Sequence, residues 1–345
     1  MMRQAVLRAP RVLDLVDLAE PHPGPGEVIV RIRAALTCGT DLKTYRRGHA
    51  RLRFGPFGHE GAGEIAAVGE SVDAFTPGQA VVFTPTAACG QCRPCRRGRE
   101  NLCSTLFEET ALGTYADMVR VPARIVRRHL FAKPPSLSYI EAAFLESLAC
   151  VVHAWRRLGG ANGDRVAVIG VGPIGLLHVQ EASRRGLEVI AVGRRAEGLG
   201  LAARVGARHV INMREAEAGE ALRALTGDGP EIIIECTGAE DIWQTAPAWA
   251  APGGRVLLFG GLAPGSQAHF DATRLHYGEI DLVSAFHYRT ADVRDALALL
   301  ASGAIRPAAL VTGLRPLEEI RAVFEDLDRG AGIKYAILPD GGTWR

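Results

Sequence analysis

Cys38-Gly39-Thr40-Asp41 and Gly58-His59-Glu60 bring a thiolate, an imidazole and a carboxylate into one short stretch. These are the ligand types of a catalytic zinc that keeps a fourth position open for water or substrate. Thr40 stands close behind the thiolate, where a hydroxyl can take a proton and pass it on. Zinc lowers the pKa of water bound to it from about 15.7 to about 7, and the same effect on an alcohol would ready it to lose a hydride. Taken alone the stretch is a weak signal, because a free cysteine is usually a small buried hydrophobe. The rest of the chain has to decide.

A chain of 345 residues exceeds what one core comfortably spans, so two domains are expected. With 48% apolar and 23% charged residues, the composition is that of a soluble globular protein. A net charge of +2 gives no global reason to bind nucleic acid or an acidic surface. The start, Met1-Met2-Arg3-Gln4, carries a charge but no apolar run long enough for a signal peptide, and Asp14 and Asp17 interrupt the next apolar residues. No window offers the roughly 18 consecutive apolar residues of a membrane span. The expectation is a cytoplasmic protein with neither nucleic acid nor membrane as partner. Its seven cysteines then read as metal ligands or buried thiols rather than disulfides.

Strands and loops come first along the chain. Residues 21–26, rich in Pro and Gly, read as a loop. Val28, Val30 and Ile32 share one face of a strand over 27–35 that runs out at Cys38. Residues 58–68 and 79–84 are β-prone, with Pro77-Gly78 as the turn between them, so residues 1 to about 130 form a mostly β, loop-rich domain. Within it Cys89, Cys92, Cys95 and Cys103 have the spacing of a closed, tetrahedral, structural metal site. Arg93, Arg96, Arg97 and Arg99 surround those thiols, but Glu100, Glu108 and Glu109 balance them and no aromatic platform is interleaved, which argues against nucleic acid. Residues 138–158 read as a helix with a Ser138/Glu141 capping box and Ile140, Ala143, Phe144, Leu148, Val151, Val152 and Trp155 on its apolar face. Glu146 falls inside that helix, either on its solvent face or buried with a partner.

From Asp164 strands and helices alternate. A buried strand over 165–169 leads into Gly170-Val171-Gly172-Pro173-Ile174-Gly175, which opens a helix through Ala182, and a second strand comes next over 188–192. This is a G-x-G-x-x-G fingerprint in the context it requires, placing a pyrophosphate at a helix N-terminus. Strands over 231–236 and 255–259 end in Thr237-Gly238 and Gly260-Gly261, at the carboxyl edge where such sheets bind ligands.

With these ligands, this lobe and this nucleotide fold in this order, the chain resembles the medium-chain zinc-dependent alcohol dehydrogenases over essentially its whole length. It is most similar to their polyol branch, sorbitol or iditol 2-dehydrogenase-like, and then to threonine dehydrogenase. The resemblance implies an α/β fold, with a Rossmann doubly wound parallel sheet beside a mostly β GroES-like domain. It implies residues 1–145 as the GroES-like catalytic domain with its zinc lobe at 89–103, residues 146–288 as the Rossmann domain and residues 289–345 as a return to the first. It implies a catalytic zinc on Cys38 and His59, with Glu60 and Glu146 sharing the remaining protein contacts, Thr40 in the proton path and Asp41 behind His59. It also implies a structural zinc on Cys89, Cys92, Cys95 and Cys103, and a homodimer or homotetramer.

This sequence departs from the polyol pattern at three places: Lys43 stands where a relay histidine is common, Gly193 where an acidic ribose-binding residue usually closes the second strand, and His287 where arginine is common. At the strand end Gly193-Arg194-Arg195 offers room and forked donors to a 2′-phosphate, so NADP is expected over NAD. Gly170, Gly172, Pro173, Ile174, Gly175, Thr237, Gly260 and Phe286 complete the expected cofactor contacts. The reading is hydride transfer between a secondary alcohol, a polyol or sugar derivative, and NADP(H). The alternatives are a threonine or amino-alcohol dehydrogenase using NAD and a non-catalytic nucleotide-binding homologue.

Overall fold

The chain begins with an antiparallel hairpin, β1 (Met2–Ala9) and β2 (Val12–Leu18), turned through Arg11 at φ 63°. The structure is a computed structural model that describes residues 1–48, 54–159 and 164–341. β3 (Val28–Leu36) is buried along almost its whole length because strands flank it on both edges. The chain then turns directly into a helix, α1 (Gly39–Arg47), which the reading of a mostly β segment did not include. Cys38 is its N-cap: the sulfur accepts from Thr40 N–H at 3.4 Å, and Arg46 and Arg47 complement the dipole at the other end.

β4 (Gly55–Pro56), β5 (Glu60–Val68) and β6 (Ala80–Phe83) come next, and then α2 (Arg93–Arg96) within the cysteine lobe. β7 (Met118–Val121), α3 (Ala123–His129) and β8 (Leu130–Ala132) complete this part. The helix expected over 138–158 is two helices, α4 (Tyr139–Ala142) and α5 (Leu145–Leu158). The capping box is present, but Phe144 N–H bonds back only three residues to Glu141 O, a tight turn that re-aims the chain before α5.

Strands and helices then alternate in parallel crossovers: β9 (Arg165–Ile169), α6 (Pro173–Arg184), β10 (Glu188–Gly193), α7 (Ala196–Arg204), β11 (His209–Asn212), α8 (Ala218–Thr226), β12 (Ile232–Glu235), α9 (Glu240–Trp249), β13 (Arg255–Leu258), α10 (Ala272–Tyr277) and β14 (Asp281–Ser284). All six strands pair in parallel in the order β11-β10-β9-β12-β13-β14, the doubly wound order whose direction reverses between β9 and β12. The fold is thus α/β, with a Rossmann sheet in one unit and a GroES-like part in the other.

α11 (Thr290–Ala301), β15 (Gly313–Pro316), α12 (Ile320–Asp328) and β16 (Tyr335–Leu338) close the chain. β16 pairs antiparallel with β3, so the C-terminal segment completes the seven-stranded sheet begun near the N-terminus. The chain divides into two compact units, Met1–Ala149 with Tyr288–Arg345, and Cys150–His287. Residues 342–345 of the expected returning segment lie outside the described residues. The first unit's core joins Val28, Val30, Ile32 and Phe83 to Phe324 and Ile337 of the returning segment. The second unit's core lies on the parallel sheet, around Ala167, Ile190, Ile233 and Val256.

Candidate active site

The metal-type donors of the first unit come from the end of β3 and the start of β5. One donor atom each of Cys38, His59 and Glu60 lies within 4.8 Å of the others. His59 Nδ1 is 2.9 Å from Asp41 Oδ1, a bond that orients the ring and makes Nε2 the nitrogen that would ligate a metal. The other oxygen of Asp41 accepts from the Tyr115 hydroxyl at 2.6 Å. Glu146 is buried and its Oε2 is 4.0 Å from His59 Nε2, so of the two positions the helical pattern left open it takes the buried one. Thr40 sits half-buried in the first turn of α1.

Glu60 is fully buried, and Lys334 Nζ donates to its Oε2 at 2.5 Å and to Thr37 O at 2.9 Å. Its Oε1 is buried with no hydrogen-bond partner among the described residues. Burial raises the Glu60 carboxyl despite Lys334, and burial together with the Glu60 charge raises the Cys38 thiol. Burial opposes a charge on His59, but Asp41 and Cys38 outweigh it and raise the imidazole well above its usual value. A buried thiol and an unmatched carboxylate oxygen around one point are costly without a cation between them. The donor set therefore fits a zinc ion.

The second cluster, Cys89, Cys92, Cys95 and Cys103, also has its four sulfurs within 4.8 Å of one another, and all are free thiols. Backbone N–H groups already point at them, Cys92 N to Cys89 Sγ at 3.4 Å and Cys89 N to Cys103 Sγ at 3.3 Å. Such backbone bonds bring the Cys92 thiol down to about 6, while burial pushes Cys95 up to about 12. Four thiols, with no further His, Cys, Asp or Glu in the cluster among the described residues, make a closed site.

In the second unit the fingerprint glycines lie between β9 and α6, with Gly172 as N-cap and Pro173 and Ile174 opening the helix. Gly175 packs so tightly on the turn that a Cβ there would sit 1.8 Å from Gly170 O, the close helix-to-strand approach a pyrophosphate cradle requires. The N-cap faces open space: a Cβ on Gly172 would meet nothing within 4 Å. A dinucleotide phosphate fits here. Thr237 and Gly260 lie just past β12 and β13 at the same carboxyl edge, and Phe286 is 40% exposed. Gly193 ends β10, Arg194 is exposed and Arg195 is the N-cap of α7. The room expected at Gly193 is taken by protein: a Cβ there would lie 2.5 Å from Val171 Cγ2, so close packing under the glycine loop accounts for this residue.

The family model for an alcohol dehydrogenase GroES-like domain matches residues 24–130, and that for a zinc-binding dehydrogenase matches residues 173–302. A sorbitol dehydrogenase of Bacillus subtilis (strain 168) is 33% identical over 337 residues, 94% of this chain and 93% of that one. The chain belongs to the medium-chain zinc-dependent alcohol dehydrogenases, in their polyol branch. Among solved structures, a zinc-binding dehydrogenase of Sinorhizobium meliloti 1021 bound to NADP superposes on this alcohol dehydrogenase with a TM-score of 0.88 at 29% identity, covering 98% of this chain and 99% of that one. An alcohol dehydrogenase of E. coli CFT073 complexed with NADH does so at 0.86 and 26%, covering 98% and 99%.

Two residues of this dehydrogenase's first unit were missed from sequence. Lys334 had a signal, being a single charge in the apolar run from Ile333 to Leu338. Tyr115 had none, since nothing in Gly113-Thr114-Tyr115-Ala116 points to a carboxylate 74 residues away.

Proposed function

We propose that the enzyme transfers a hydride between a secondary alcohol, a polyol or sugar derivative, and NADP(H). The observation that carries this reading is the convergence of Cys38, His59 and Glu60 at the start of α1. Cys38, His59 and Glu60 would hold a catalytic zinc with Glu146 beside them, and Cys89, Cys92, Cys95 and Cys103 a structural one. When bound, zinc supplies charge stabilisation at the alcohol oxygen and the nicotinamide accepts the hydride. Thr40 receives the alcohol proton, and Asp41 fixes the His59 tautomer with its own position held by Tyr115. Similarity to a sorbitol dehydrogenase supports a polyol substrate.

For the cofactor, Arg194 has an exposed guanidinium whose ion pair with Asp241 spans 3.9 Å. An exposed pair of this kind contributes about 0–1 kcal/mol, so the arginine can turn to a 2′-phosphate. One hydrogen bond to that charged group is worth about 1.5–3 kcal/mol, roughly tenfold or more in favour of NADP(H). The NADP-bound relative supports this choice. A homodimer or homotetramer is part of the proposal: β14 ends the parallel sheet, and Asp281, Leu282 and Ser284 on it are exposed, an edge that other chains can cover. So is a cytoplasmic location; among the described residues no helix is long and apolar enough to cross a membrane. The cofactor reading is tested by kcat/KM for NADP and NAD in wild type and Arg194→Ala. The expected result is an NADP preference that falls about tenfold in the variant, and a wild type that prefers NAD would overturn it. Gly193→Asp is a poor probe, because its side chain would collide with Val171.

A further inference from the structure

Glu235 ends β12 with its side chain fully buried, and its partners among the described residues are N–H and O–H donors rather than cations. Its Oε1 accepts from the backbone N–H of Thr237 at 2.6 Å, from that of Gly238 at 2.9 Å and from the Thr237 hydroxyl. Its Oε2 accepts from Gly260 N–H at 3.2 Å, an N–H shared with the Glu235 backbone carbonyl at 3.0 Å. One carboxylate thus joins the loop after β12 to the loop after β13. A third loop leans on the same assembly: Gly170, at φ 102°, lies so near Thr237 that a Cβ on it would sit 2.9 Å from Thr237 Cγ2. On the far side Trp243 Nε1 donates to Gly260 O at 2.8 Å. Burying an acid at this depth is unfavourable, and an apolar residue would fill the volume at less cost. What the acid supplies is an acceptor for the backbone N–H groups of Thr237 and Gly238, and a second acceptor, beside the Glu235 carbonyl, for that of Gly260.

We propose that Glu235 is a positioning residue for the dinucleotide: it holds the loops after β12 and β13 against the glycine loop after β9, so that the cradle is formed before the cofactor arrives. The inference rests on reading the second unit as the nicotinamide site. Ordering loops costs affinity when it happens on binding, and a cradle already ordered avoids that cost. Glu235→Gln keeps the size of the side chain but must turn an NH₂ either toward Thr237 and Gly238, which then lose their acceptor, or toward Gly260, which keeps only the backbone carbonyl. Either way the side-chain link between the two loops is lost.

The test is titration of the zinc-loaded wild type and Glu235→Gln with NADPH and NADH by fluorescence, beside hydrogen exchange of the cofactor-free proteins at residues 236–241 and 258–261. The account expects slow exchange at Thr237 and Gly238 in the wild type, faster exchange in the variant, and a Kd about tenfold higher. Equal Kd values for wild type and folded variant would overturn the inference while leaving the cofactor reading intact. Should the variant fail to fold, the wild-type exchange decides: protection at Thr237 and Gly238, whose N–H groups bond the carboxylate, supports the inference, and rates typical of open loops overturn it. A wild type that binds neither nucleotide would overturn the cofactor reading and this inference with it.

Discussion

The metal centre of the first unit and the nucleotide cradle of the second are built from different materials. Around Cys38 and His59 the site is side chains, held by others from distant parts of the chain, with Glu60 and Lys334 separated by 274 residues yet 2.5 Å apart. Around Gly172 the site is backbone, and its defining residues matter for the side chains they lack. A site of charged side chains is fragile to single replacements, because each leaves another charge unmatched in a dry interior. A site of backbone is sensitive to added volume and to what holds its loops.

The largest effect expected separates the metal centre from its neighbour in the same unit. Cys38→Ala should lose measurable turnover and one zinc per chain, while the four-cysteine zinc remains. Cys95→Ala should do the reverse, losing the lobe metal and thermal stability before chemistry. Metal analysis of both variants beside activity checks this, and fully active protein with a single zinc would break the two-centre account. Next, Thr40→Ala should lower kcat by roughly 10²- to 10⁴-fold with zinc and cofactor still bound, and Thr40→Ser should keep most activity. Wild-type turnover in both would remove Thr40 from the proton path.

In the zinc-free protein Lys334→Met should destabilise the fold by up to about 3–5 kcal/mol, read as a drop in the urea midpoint, because it takes from the buried Glu60 carboxylate the cation it is hydrogen-bonded to. Combining it with Glu60→Gln should return much of that loss, and an unchanged midpoint in the single variant would show the pair to be dispensable.

The two sites also differ in how legible they are in the sequence. The cradle can be read because its pattern is local: a strand, a glycine turn and a helix are contiguous. The cysteine lobe can be read for the same reason. The first metal centre is only partly readable, since Cys38, His59 and Glu60 lie near one another in sequence while Tyr115 and Lys334 arrive through sheet pairing that no local pattern reports. The helix α1 escapes notice because its start is set by the Cys38 cap rather than by an apolar stripe. The break between α4 and α5 escapes because Ala143, Phe144 and Leu145 are apolar throughout, so the periodicity runs on unbroken across the turn.

The smallest effect belongs to the second unit. His178, on α6, is fully buried against Phe259, both ring nitrogens are without a hydrogen-bond partner among the described residues, and burial pushes it down to about 3 from an ordinary 6.5. Between those values the unfolded chain binds the extra proton and the folded chain does not. Stability from this group is therefore complete above pH 6.5 and falls as the pH drops toward 3. At pH 5 the loss is about 2 kcal/mol. His178→Leu should flatten that part of the stability profile, and an unchanged slope would mean that the ring finds a proton acceptor in solution.

The central claim is tested most directly by monitoring reduced nicotinamide absorbance while the zinc-loaded enzyme is offered polyols, sugar derivatives and amino alcohols with NADP or NAD, before and after chelation. The account predicts reduction of NADP by polyols with a secondary alcohol, lost when zinc is removed and restored when it is returned. Turnover that survives removal of zinc, or that is confined to amino alcohols with NAD, would contradict it.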